Sequence, residues 1–243
     1  PDQWIEDAPP IRAEASRAVA RSAGRARPTT TRRRRAAGSA VSAEVAKVVG
    51  GQQAARIEKR LLEAAKAYER DRVQDAWRDL RKLSEEAPAV PAVRELAGLA
   101  LYRMGRWAQA ATHLEAFRAL TGSVEQHPVL ADTYRALGRY DQVGPLWDEL
   151  RRASPGPDLV TEGRIVAAGA LADQGRLDDA IAVLAAAAKP TKRPKQHHLR
   201  LAYALADLYE RAGEAPQARE LFGRVAASDP DFVDDRARLR ALR

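Results

Sequence analysis

The feature that most restricts this chain is a three-residue signature that recurs at fixed internal spacing. A glycine is followed five residues later by a small residue and four after that by a bulky one. The copies are Gly105, Ala110, Leu114; Gly138, Val143, Trp147; Gly175, Ala180, Leu184; and Gly213, Ala218, Phe222. An earlier copy, Asp71, Ala76, Leu80, keeps the spacing and loses the glycine. Successive small residues stand 34, 33, 37 and 38 positions apart. A period this regular marks an internal repeat, and two residues four apart share one face of a helix.

Composition decides what each repeat is made of. Hydrophobic residues form 45% of the 243 and aromatics only 5%, so alanine and leucine must supply most of the burial. Alanine is the strongest helix former and lets helices approach closely, which predicts an all-α chain. Amphipathic periodicity places helix pairs at 52–70 with 72–86, 91–104 with 107–121, 127–137 with 140–152, 158–174 with 177–188, and 196–212 with 215–227. Pro88, Pro91, Pro128, Pro155, Pro157, Pro190, Pro194 and Pro230 fall between pairs, where a helix has to stop. One pair cannot hide its apolar side by itself, so each must lean on the next. Gly98 and Ala206 on first helices, with Ala110 and Ala218 on second helices, mark close backbone approach. Trp147 and Phe222 are expected to fill the grooves between successive pairs.

On these residues the chain resembles the tetratricopeptide repeat, whose unit of about 34 residues puts glycine at the turn, alanine and an aromatic on the second helix, then proline. The resemblance runs from Gln52 to Pro230 and is strongest in the second and fifth units. It implies a right-handed α-solenoid of stacked antiparallel helix pairs, whose first helices line a concave wall that holds a protein or peptide. The expected wall comprises Glu58, Leu61, Tyr68, Glu95, Leu99, Tyr102, Arg103, Asp132, Arg135, Ile165, Asp173, Tyr203, Asp207 and Arg211. Tyrosine, leucine and charge in one groove suit protein recognition. Arrays that clamp the C-terminal carboxylate of heat-shock chaperones use lysine and asparagine there; this chain has no asparagine, which argues against that subclass. The expected domains are a basic, largely disordered arm over 1–50, the repeat domain over 51–230 and a capping helix over 231–243.

Charge is unevenly placed. Lys and Arg number 41 against 33 acids, a net +8. Within 1–50, ten basic residues face five acids. Arg17, Arg21, Arg25, Arg27, Arg32, Arg33, Arg34 and Arg35 follow one another with no acid between them. Such a run neutralises phosphates without reading sequence, and RNA is favoured over DNA because arginine-rich segments order on structured RNA. Attachment to an acidic protein is the other reading. A second basic stretch, Lys189 to Arg200, lengthens the loop between the fourth and fifth pairs. At the start of the chain, "PDQWIEDAPP" sets Trp4 and Ile5 among acids and prolines, which reads as a docking motif for the chain's own groove or for a partner.

Several chemistries are argued against. The absence of cysteine removes disulfides, thiolate catalysis and cysteine-ligated metals. His113, His127, His197 and His198 lack the spacing that makes metal ligands converge. His197 and His198 read as a solvated helix start, with no carboxylate among their sequence neighbours, and His113 reads as a surface residue. No nucleophile elbow, phosphate-binding glycine loop or metalloprotease motif occurs. No apolar run approaches the roughly 18 residues that cross a bilayer, and no secretory signal stands at the start. The expectation is a cytoplasmic, non-enzymatic scaffold or adaptor without cofactor, metal, membrane or small-molecule substrate. The competing reading is an RNA- or ribosome-associated factor whose arm binds nucleic acid. The alanine and arginine bias points to a GC-rich bacterial genome.

Overall fold

The computed structural model describes residues 45–229 together with Phe232, Arg238 and Leu239. The arginines of the expected arm, Arg17 to Arg35, lie outside the described residues, as do Trp4 and most of 231–243. The chain divides into two compact units, with Met104 closing one and Gly105 opening the other. The boundary thus falls in the turn between the helices expected at 91–104 and 107–121.

In the first unit a helical stretch at 45–49 leads into α1 (Gly51–Glu69), α2 (Val73–Glu86) and α3 (Pro91–Arg103). α1 and α2 form a hairpin, and α3 packs against both. Ile57, Leu61, Ala64, Leu80, Leu83, Val93 and Ala97 meet in its core. Pro91 opens α3 at its first turn, where a missing N–H costs nothing.

The second unit contains α4 (Trp107–Thr121), α5 (His127–Ala136), α6 (Val143–Ala153), α7 (Pro157–Asp173), α8 (Leu177–Ala185), α9 (Gln196–Arg211) and α10 (Ala215–Ser228). The first helices α5, α7 and α9 touch one another in order, forming one layer. The second helices form another: α6 packs on α5 and α7, α8 on α7 and α9, and α10 on α9. This is the leaning of pair on pair that alanine-rich hairpins require.

The recurring signature has a direct structural meaning. Ala76, Ala110, Val143, Ala180 and Ala218 are all buried on their helices, and Leu80, Leu114, Leu184 and Phe222 are buried one turn later. Gly105, Gly138, Gly175 and Gly213 all take positive φ at the turn. The unit without a glycine adopts the same conformation, since Asp71 has φ of 63°. Aspartate is among the few side chains that tolerate the left-handed region, so the turn survives the substitution.

The third hairpin departs from the expected helix over 140–152. Tyr140–Gln142 form a 3-10 turn, and the α-helix starts only at Val143. Pro145 supplies the reason, because its nitrogen has no hydrogen to donate to the carbonyl four residues earlier. Trp147 does reach the next hairpin: it lies against Gly163 of α7, with the Arg164 guanidinium carbon 5.1 Å from the ring centre. A Cβ on Gly163 would fall inside van der Waals contact with Leu150 and 3.3 Å from the Trp147 ring, so glycine is what lets α6 and α7 approach. Phe222 is fully buried and meets Tyr203 edge-on with ring centres 5.4 Å apart.

Candidate functional site

The residues expected on the wall of first helices are distributed by the way those helices sit side by side. In the first unit, Arg103 at the end of α3 reaches back to the end of α1. Its guanidinium lies over the Tyr68 ring, 4.9 Å to the centroid, and ion-pairs with Asp71. Glu58, Glu95 and Leu99 are half-buried. Leu61 and Tyr102, expected as wall residues, are 5% and 9% exposed, and Leu61 belongs to the core.

In the second unit the charges form a ladder across adjacent first helices. Arg135 on α5 donates to Asp173 on α7 at 2.6 Å and to Asp132 on its own helix at 3.2 Å. Its side chain is 24% exposed and that of Asp173 only 11%. Gly169 makes room for it, since a Cβ there would lie 2.8 Å from the guanidinium. One helix further along, Arg200 of α9 pairs with Glu162 of α7, and Arg211 of α9 donates to the Ala172 carbonyl at 3.3 Å. Arg238 closes the ladder on α9. It donates to Asp207 at 2.8 Å and to the Tyr203 hydroxyl at 3.3 Å, pairs with Glu210, and lies over the Tyr203 and Phe222 rings.

Three expected wall arginines, Arg103, Arg135 and Arg211, are therefore engaged by a neighbouring helix. Of these only Arg135–Asp173 is a half-buried ion pair, which costs much when one partner is removed because the other charge is stranded. Reversing Arg103 or Arg135 would disturb packing as well as any recognition. Ile165 is half-buried on α7 between these pairs and packs on the apolar cluster.

Glu162 is the strained member. Its Oε1 is buried without a hydrogen-bond partner among the described residues. Burial pushes its carboxyl up to about 7, opposed by the Arg200 charge and reinforced by Asp158.

Two histidine expectations need correction. His197 is not a solvated helix start: its side chain is 11% exposed, and Nδ1 donates to Asp158 of α7 at 2.6 Å. The carboxylate comes from 39 residues away, out of sight of a local reading. His198 instead caps its own helix, accepting from the Lys195 N–H at 3.0 Å. His127, singled out only as one of four, is buried and donates from Nε2 to Glu149 at 2.8 Å, which Arg118 also grips. The His127 hydrogen bond first, and Arg118 with it, holds the Glu149 carboxyl below its usual range. No sequence spacing signals that triad. Among the described residues no group of three or more His, Cys, Asp or Glu is placed to hold a metal ion. No described helix is long and apolar enough to cross a membrane.

A tetratricopeptide repeat family model matches residues 171–243. The fold is similar to that of TTC0263, a thermophilic tetratricopeptide-repeat protein of Thermus thermophilus, with a TM-score of 0.58 at 19% identity over 76% of this chain and 98% of that one. It is also similar to MamA of MSR-1, with a TM-score of 0.53 at 22% identity over 72% of this chain and 97% of the other. At these identities the likeness is one of fold. Among curated protein sequences none is similar enough to match.

Proposed function

We propose that this chain, which has the tetratricopeptide-repeat fold, is a non-enzymatic scaffold or adaptor that holds a protein or peptide on its first helices. The observation that carries the reading is the unbroken layer of α5, α7 and α9, three first helices side by side and joined by the Arg135–Asp173 and Arg200–Glu162 pairs. Such a layer is rigid and offers side chains from several helices to one extended partner, which lowers the ordering cost of binding. Taken unit by unit, the expected contact residues are Tyr68, Glu95, Leu99 and Arg103 in the first and Asp132, Arg135, Tyr203, Asp207 and Arg211 in the second; Tyr102, being buried, is no longer among them. Leu99, half-buried and outside the ion-pair ladder, is a position whose change tests recognition without breaking a charge pair.

The second reading, an RNA- or ribosome-associated factor, is favoured by the eight arginines from Arg17 to Arg35. One experiment separates the two. The full chain, a Leu99→Glu variant and a variant lacking residues 16–36 are each used to recover partners from extract, with and without nuclease. Under the scaffold reading, Leu99→Glu loses proteins that arm deletion and nuclease both leave in place. Loss of all recovered material on nuclease treatment or arm deletion would instead establish the nucleic-acid reading.

A further inference from the structure

Two stretches that stand apart from the wall are complementary to each other. The first is a cleft of about 280 Å³ enclosed by the 186–195 loop, the start of α9 and the end of α10. Its floor is apolar: Leu199, Leu201, Leu221 and Val225 are all less than a tenth exposed. Its rim is cationic, with exposed Lys189, Lys192 and Arg224, and no carboxylate occurs among the described residues that line it. The second is the segment Asp2 to Asp7, "DQWIED", with two large apolar side chains, three acids and no base.

The same floor already receives a side chain of this pattern. Phe232 packs on Leu199 and Val225, and it stands in "DFVDD", where an aromatic is followed by a β-branched residue and two acids. "WIED" at residues 4–7 repeats that order: aromatic, β-branched, acid, acid. We infer that the cleft beside Phe232 is a docking site for residues 1–10 of this chain, with Trp4 and Ile5 on the apolar floor and Glu6 and Asp7 against Lys189, Lys192 and Arg224. The rest of the chain's first fifty residues carry the opposite charge and are repelled from such a rim. Pro190 and Pro194 limit the loop's freedom, which reduces the entropy lost when a ligand seats on it.

The test uses the full chain. A Trp4→Ala/Ile5→Ala variant disables the native segment, and a fluorescently labelled decapeptide PDQWIEDAPP is titrated against it. The decapeptide is expected to bind this variant at least about tenfold more tightly than a scrambled peptide does, and more tightly than it binds the unaltered chain, whose own segment competes. Adding Lys189→Glu, Lys192→Glu and Arg224→Glu should weaken binding by a further tenfold or more, and raising the salt should weaken binding to the unreversed variant. Lys189→Glu/Lys192→Glu alone, confined to an exposed loop, serves as the control for folding, with circular dichroism unchanged and binding still reduced. Equal binding by the unaltered chain and the Trp4→Ala/Ile5→Ala variant would overturn the assignment, as would binding indifferent to the charge reversals or no binding at all.

Discussion

The Arg103 guanidinium stacks on the Tyr68 ring, 4.9 Å to its centroid, with 35 residues of chain between the two. Arg238 stands over Tyr203 at 5.6 Å with the same separation of 35 residues. In both cases the arginine also pairs with an aspartate three or four residues past the tyrosine, Asp71 in one and Asp207 in the other. Arg238 thus meets α9 as Arg103 meets the end of α1, and beside it Leu239 packs against the apolar cluster of the last hairpins.

Replacing Arg238 by alanine strands Asp207 and Glu210, whose side chains are 22% and 28% exposed, next to one another. A loss of about 1–3 kcal/mol is expected from the urea midpoint. Arg238→Lys should restore only part of it, since an ammonium cannot stack on Tyr203 and fork to two carboxylates together.

The turn residues predict opposite signs for two changes. Gly138 has φ of 72°, and Gly138→Ala should cost about 1–2 kcal/mol. Asp71→Gly relieves the same strain in the first hairpin and gives up only an exposed pair with Arg103, so it should be neutral or stabilise by up to about 1 kcal/mol. Thermal melts of the two variants beside the parent decide it; a destabilised Asp71→Gly would show the ion pair to outweigh the strain.

Glu162 gives the chain a pH dependence of known sign. Its carboxyl is at about 7 when folded against 4.5 ordinarily, so the folded state holds the proton more tightly. Its stabilising contribution is complete below pH 4.5 and is lost as pH rises through about 7. The unfolding free energy of the parent should fall relative to Glu162→Gln by about 2–3 kcal/mol between pH 5 and 8. Parallel pH profiles for the two proteins would rule the effect out.

Gly163 and Leu150 should behave as a coupled pair. Gly163→Ala drives a methyl into the fully buried Leu150 and against Trp147, with an expected cost of about 1–3 kcal/mol. Leu150→Ala opens a cavity at the same place, costing about 2–5 kcal/mol. The double variant should be less destabilised than the sum of the two, by about 1 kcal/mol in a double-mutant cycle.

The helices were legible because glycine and proline punctuate them. Gly175 at the turn and Pro157 at the helix start locate α7 to within one residue, and Ala180 with Leu184 locates the buried stripe of α8. The candidate wall was legible only in outline. Whether Arg135 is offered outward or consumed inward depends on Asp173, 38 residues later, and on the missing Cβ of Gly169 between them. His197 and Asp158 meet for the same reason, through stacking that no local window contains. Tyr102 keeps the register expected of the wall and is nonetheless buried, because periodicity gives an angle around a helix and not the height of the neighbours.

The ladder of arginines and carboxylates has a bearing on how such an array can be rearranged. Positions 135, 173 and 211, each 38 apart on successive first helices, read arginine, aspartate, arginine. Excising the hairpin of α7 and α8 would set Arg211 where Asp173 now faces Arg135, leaving Asp132 as the acid that Arg135 still meets. The hairpins of this unit are consequently not interchangeable beads: a shortened copy exchanges an attraction for a repulsion at the new joint.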